Sequence, residues 1–323
     1  MSLNPNPQGS MQPLSVGNVV SAGLVLYRSH LKWYLTIALR ATGWAILPFF
    51  ALIPVPFIFI ANPRNYNSLL IIIPVFIGLY IYCLAKSLVN SALISRLAFS
   101  ELVNKPETEE IAIGYLNPKM WRFLSLTILT ALIFIGVFIV LYILLAIVGA
   151  ILAGILIGLG TATGQQGSGA IVAILAGGAI GLLLFIGLIW VVVWLYSRLL
   201  IAELPLTIEN NLKASESISR SWQLTKGFVW RIQGIVMIAF LISLPIQVVV
   251  QLFSSILQGL FENLIRQEPS YAILYGIAII ALSLLSSALI VPFWQAIKAV
   301  LYYDLRTRRE GLDLQAGDRR FGI

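Results

Sequence analysis

The sequence predicts an all-α fold, a polytopic helical bundle in a membrane, and three observations predict it. The 75 residues from Phe123 to Ser197 hold no charged side chain. As helix, at about 1.5 Å per residue, they would run on the order of 110 Å against a hydrocarbon core of roughly 30 Å, so they must cross more than once. Of the 323 residues, 59% are hydrophobic and 11% are charged, where a soluble domain carries roughly 25% charge. So much apolar surface calls for lipid as the solvent. Finally, the apolar runs are continuous, whereas the strands of a membrane barrel would alternate.

Taken in order, Met1 to Leu14 is polar and holds Pro5, Pro7 and Pro13 without a basic residue. It has neither the charged start nor the apolar core of a signal peptide, and a disordered tail over 1–14 is expected. Ser15 can cap a short helix that puts Val16, Val19, Val20, Gly23 and Tyr27 on one face, which predicts an amphipathic helix on the membrane surface. A first spanning helix runs over about 33–60, with Pro48, Pro54 and Pro56 set to kink or shorten it. The link 61–67 turns the chain into a second helix, about 68–99. Asn104, Pro106, Glu107, Glu109 and Glu110 then start a second surface helix, with acids where the helix dipole favours them. Asn117-Pro118 breaks it, and a third spanning helix covers about 123–159. The glycine-dense break from Gly160 to Gly169 is the natural fold-back to a fourth, about 170–201. A third surface segment, Asn210 to Lys226, places Ala214, Ile218 and Trp222 on one face. Spanning helices over about 229–261 and 271–304 follow, and 307–323 reads as a charged cytoplasmic tail.

Three features recur. Ser95-Arg96-Leu97 with Glu101 repeats as Ser197-Arg198-Leu199 with Glu203. Trp121-Arg122 and Trp230-Arg231 each open a spanning helix, and Pro48 follows Trp33 at the spacing at which Pro245 follows Trp230. The expected architecture is therefore six transmembrane helices as three hairpin repeats, about 15–101, 102–203 and 204–306, each preceded by an amphipathic surface helix.

Charge then orients the bundle. Of the 21 Lys and Arg residues, only Arg64 and Arg266 fall in the links on one side, with Glu262 and Glu268 beside them. That side is neutral and the other carries the net charge of +8. By the positive-inside rule both termini are expected in the cytoplasm, with the plasma (inner) membrane as the expected location and an internal membrane as the alternative. Basic helix ends account for the net charge without nucleic acid. One cysteine, Cys83, excludes an intrachain disulfide, and with one histidine, His30, no His/Cys metal cluster can be built; no cofactor is expected.

Tyr27-Arg28 after the opening helix, Trp222 with Lys226, Trp230-Arg231, and the closing Tyr302-Tyr303-Asp304-Leu305-Arg306-x-Arg308-Arg309-Glu310-Gly311 together resemble the glycerophosphoryl diester phosphodiesterase membrane domain family. The likeness covers roughly Ser15 to Leu314, and the closing stretch is its most specific piece. In that family the multi-helix module can precede a phosphodiesterase barrel and also occurs alone. The resemblance implies a membrane module of unestablished role. It implies no activity here, since the sequence leaves no length for a barrel and lacks the histidines of its metal site.

Acid–base or nucleophilic catalysis needs a base held against a nucleophile, or paired carboxylates. His30, between Arg28 and Lys32, reads as an interface residue. Asp304 and Glu310 read as solvated tail charges or as partners for Arg306 and Arg308. No catalytic set is expected. Three other groups stand out. Arg28, Trp33, Trp121, Arg122, Trp222, Trp230 and Arg231 are candidate anchors for lipid headgroups, tryptophan preferring that layer and arginine reaching phosphate. Ala150, Gly154 and Gly158 match Ala173, Gly177 and Gly181 across the fold-back, and such small-residue faces let membrane helices pack closely, within the chain or against another protein. Lys86 and Asn90, Gln247 and Gln251, and Gln295 and Lys298 form a candidate polar track on three helices, either a pathway or a set of interhelix hydrogen bonds with interfacial lysines.

The leading expectation is a non-enzymatic integral membrane module that organises or binds partner proteins or anionic lipids at the cytoplasmic face. The alternative is a transporter or channel for a small polar or lipid-derived solute.

Overall fold

The computed structural model describes residues 14–52, 55, 69–162 and 168–310. Among these the chain is helical apart from short turns and links, without a strand. In order come α1 (Val16–Ser29), α2 (Leu31–Phe50), α3 (Leu69–Leu102), α4 (Glu109–Leu116), a 3₁₀ turn (Asn117–Lys119), α5 (Met120–Ala162), α6 (Ser168–Leu199), α7 (Glu203–Ile208), α8 (Ala214–Thr225), α9 (Val229–Gln267) and α10 (Tyr271–Glu310). Five stretches among the described residues are long and apolar enough to cross a membrane: Leu69–Leu102, Glu109–Ile151, Gly177–Ile208, Val229–Gln267 and Tyr271–Glu310. The protein is an integral, multi-pass membrane protein. The expected first span continues past Phe50 into residues outside the described ones, as do the link 61–67, most of the N-terminal tail and the residues after Glu310. The fold-back is described only up to Ala162 and from Ser168.

Local chemistry sets the ends of these helices. The Ser15 hydroxyl accepts the amide of Asn18 at 3.1 Å and caps α1. The α3 helix stops where Asn104 turns left-handed at φ 54°, which lets the Lys105 amide reach back to the Ser100 carbonyl at 2.9 Å. Glu216 accepts the Lys213 amide at 2.7 Å at the start of α8, and Gly227, at φ 84°, lets the chain leave that helix. The sequence reading missed α7. It also ended the last helix too early: α10 runs to Glu310, because Asp304 with Arg308 and Arg306 with Glu310 pair one turn apart.

The chain divides into two compact units, one built from residues up to Leu126 and from Leu200 onward, the other from Thr127–Leu199. In the first unit α10 is the central rod, against which α1, α2, α3 and α9 all rest. Its core gathers toward one end of the long helices, around Leu93, Ile94 and Leu97 of α3, Leu116 of α4, Leu204 and Leu206 of α7, and Leu301, Tyr302 and Leu305 of α10. The other ends of α3 and α10 carry exposed Leu70, Ile71, Val75, Ile273, Leu274 and Ile277. In the second unit the remainder of α5 and α6 carry exposed apolar side chains such as Leu132, Ile139, Leu182 and Phe185.

The amphipathic faces turn inward. In α1, Val19, Val20, Gly23 and Leu26 are buried, and Gly23 lies so close to α10 that a Cβ there would meet Ile297 Cγ1 at 2.8 Å and its Cα at 3.2 Å. In α8 the buried face is Ala214, Ser217, Ser221, Leu224 and Thr225, so Trp222 stands off it at 37% exposure. A face repeating every 3.6 residues looks the same in sequence whether protein or lipid covers it.

Candidate functional site: a charged base

The buried end of the first unit is tied by charges. Arg96 donates to both oxygens of Glu107, at 2.6 and 2.8 Å, and to the carbonyl of Thr207 at 2.8 Å. Its guanidinium lies 3.8 Å from the centre of the Tyr115 ring, and Lys119 Nζ lies 3.7 Å from the same ring. Two cations therefore bracket one π-face system, a placement the ring quadrupole favours. The Tyr115 hydroxyl reaches the Glu209 carbonyl at 2.7 Å, and Lys119 donates to the carbonyls of Leu206 and Glu209 at 3.2 and 3.0 Å. Glu209 in turn accepts from the Tyr302 hydroxyl at 2.6 Å and from Arg220 at 3.2 Å. Arg220 also pairs with Glu310, which accepts from Arg306 at 2.8 Å. Burial works against the Arg220 cation, but Glu209 and Glu310 outweigh it and hold the guanidinium above its ordinary value. One chain of contacts thus links α3, α4, α7, α8 and α10.

A second knot sits on Asp304, whose side chain is 1% exposed. It accepts the Leu14 amide at 3.1 Å, Arg231 at 3.0 Å and Arg308 at 3.1 Å. Arg231 and Arg308 also donate to the Leu14 carbonyl. Asp304 is therefore a buried partner and not a solvated tail charge. Elsewhere His30 meets Glu101 at 2.8 Å, Arg40 donates to Glu109 at 2.5 Å and to Asn90 at 2.7 Å, and Lys298 meets Glu203 at 2.8 Å.

The residues of the polar track part company. Gln295 is buried, accepts from Ser95 at 2.6 Å and donates to Ser91 at 3.1 Å. Lys298 is held by Glu203. Asn90 is buried between Arg40 and the Lys86 carbonyl, and Lys86 reaches Asn117 at 3.3 Å. Gln247 and Gln251 lie on an exposed face of α9. The anchors divide as well. Trp121 and Trp230 are 54% and 76% exposed, and Arg28 is exposed. Trp33 donates to Glu109 at 3.0 Å, Arg122 to the Leu212 carbonyl at 3.3 Å, and Arg231 turns inward to Asp304. A Cβ on Gly154, Gly158 or Gly181 would meet no described atom within 4 Å, and Gly177 is half-buried. Among the described residues no group of His, Cys, Asp and Glu is placed to hold a metal.

The sequence offers Asp304 and Glu310 as partners for Arg306 and Arg308, and α10 pairs them so; the longer-range pairs escape it, and it marks Arg96 and Glu101 only as parts of a repeat. The available signal was the link 101–122, which concentrates acids and bases in a chain that has few of either.

Residues 171–315 match the family model described as the membrane domain of glycerophosphoryl diester phosphodiesterase. This bears out the resemblance over the stretch that holds Trp222, Trp230-Arg231 and the Tyr302–Glu310 run. No curated protein and no solved structure matches the chain.

Proposed function

We propose, from the match to a phosphodiesterase membrane domain over residues 171–315, that the chain is a non-enzymatic integral membrane module that holds anionic lipids or partner proteins against a charged base on the cytoplasmic face. The observation that carries this is a division among the cations. Arg96, Arg220, Arg231, Arg306 and Arg308 are spent on internal ion pairs. Arg28, Lys32, Lys105, Lys213 and Lys226 are exposed, with no ion pair among the described residues. Exposed cations, with Trp121, Trp222 and Trp230 also exposed, suit a headgroup layer, where each basic residue contributes about 1 kcal/mol toward anionic lipid.

The finer architecture belongs to the same proposal. Six spans as three hairpin repeats are supported by two matching closures. His30, before α2, meets Glu101 at the end of α3, and Arg231, at the start of α9, meets Asp304 near the end of α10. Ser95 with Gln295 and Phe99 with Tyr302 set α3 and α10 side by side and running the same way. Both termini are proposed to lie in the cytoplasm, and the protein in the plasma membrane, on the charge asymmetry of the links. Lys86 then falls at the interface, since Leu69 to Lys86 covers only about 26 Å as helix. Transport ranks second, because Gln295 and Lys298 are consumed by internal partners while Gln247 and Gln251 face outward.

Capture of the full chain in mild detergent, with its lipids and proteins identified together, tests the proposal. The expected result is anionic phospholipid enriched over the bulk membrane, and an enrichment reduced when Lys32, Lys213 and Lys226 are all replaced by Gln. Lipid that mirrors the bulk, with no protein retained, contradicts it.

A further inference from the structure

An apolar cleft of about 440 Å³ lies between α9 and α10, lined by Pro245, Val249, Phe253, Leu282, Leu285 and Leu289 among others. It falls within the range of about 300–1,000 Å³ typical of small-molecule sites. Val249, Phe253 and Leu285 are 50–58% exposed, so the cleft is open to the surroundings of the helices and is not sealed inside the protein. Pro245, inside α9, has no amide hydrogen to give the carbonyl one turn earlier.

What distinguishes this cleft from any gap between lipid-facing helices is the end at Leu289. The Tyr27 hydroxyl donates to the Leu289 carbonyl at 3.2 Å, and the Tyr27 ring meets Phe293 edge-on at 5.9 Å. The end of α1 is thus fastened where the cleft stops. Arg28, the next residue, is exposed and has no partner among the described residues. Tyr271 to Leu289 covers about 27 Å as helix, close to the roughly 30 Å of a hydrocarbon core. Arg28 therefore stands at headgroup depth while the apolar lining stands at acyl-chain depth.

We infer that the cleft seats one acyl chain of an anionic phospholipid whose phosphate meets the Arg28 guanidinium. The Leu289 end matches the boundary between chain and headgroup, and the open side lets the lipid arrive from the bilayer. The inference rests on the lipid-binding reading of the cationic face and gives it one located site.

The test uses the full chain in phosphatidylcholine nanodiscs doped with a lipid carrying a photoactivatable group on its acyl chain, either phosphatidylglycerol or phosphatidylcholine at the same fraction. Adducts are mapped to peptides. The expected pattern is adducts concentrated on 245–253 and 282–289 over the similarly exposed Leu70, Ile71, Ile273 and Leu274. Phosphatidylglycerol should exceed phosphatidylcholine there by about five-fold, the equivalent of the roughly 1 kcal/mol one basic residue supplies. Arg28→Gln should bring the two lipids to parity, and Val249→Trp should remove the cleft adducts of both; each changes an exposed side chain. Adducts spread evenly over the exposed helices, equal labelling by both lipids, or a preference that survives Arg28→Gln overturns the inference. The two readings fail separately: co-purified anionic lipid without cleft adducts removes only this site, and cleft adducts without overall enrichment remove only the wider proposal.

Discussion

Asp304 is one carboxylate serving the Leu14 amide and two guanidiniums from within a closed environment. Removing one member of a buried charged set leaves the others uncompensated, at a cost of about 3–5 kcal/mol. Asp304→Asn should lower the stability of the detergent-solubilised chain on that scale, read by thermal or denaturant unfolding. Pairing Asp304→Leu with Arg231→Leu should recover part of the loss, because both charges then leave together. Half of this knot was legible: Asp304 and Arg308 stand one helical turn apart in sequence. Arg231 lies 73 residues away, and nothing local announces it. Gly23 makes the complementary case. Gly23→Leu should cost about 1–3 kcal/mol by forcing α1 off Ile297, whereas Gly181→Ala, with open space around it, should leave the melting temperature unchanged.

Among elements, the long helices were legible because charge-free runs far exceed what one crossing needs. Their surroundings were not. The α1 and α8 helices lie nearly within the expected bounds, but the sequence could not say that α1 rests on α10 with Val19, Val20 and Leu26 buried, nor that α8 turns Ser217 and Ser221 inward and leaves Trp222 out. The polar track had the right spacing along each helix, yet spacing within a helix does not fix the rotation of one helix against the next. That rotation puts Gln295 against Ser91 and Ser95 and leaves Gln247 outside. A double-mutant cycle of Ser95→Ala with Gln295→Leu should give a coupling of about 0.6 kcal/mol and no more than about 1.7, the range for hydrogen bonds between membrane helices. Arg96→Lys should destabilise more than that, since lysine cannot make the paired donation to Glu107 or lie flat on Tyr115.

Across the whole molecule the governing quantity is length. At 34 and 40 residues, α3 and α10 are about 51 and 60 Å long, against roughly 30 Å of hydrocarbon. Their excess lies where the residues are buried by protein, from Cys83 on α3 and Ala288 on α10, and it is there that the ion pairs collect. In the proposed orientation the charged base is cytoplasmic and the link after α9 is external. In a Cys83→Ser background, single cysteines at Ser270 and at Lys213 can be exposed to a membrane-impermeant maleimide in intact cells. The proposed orientation predicts labelling at Ser270 before permeabilisation and at Lys213 only after it. Labelling of Lys213 from outside, or of both sites from the same side, would contradict it.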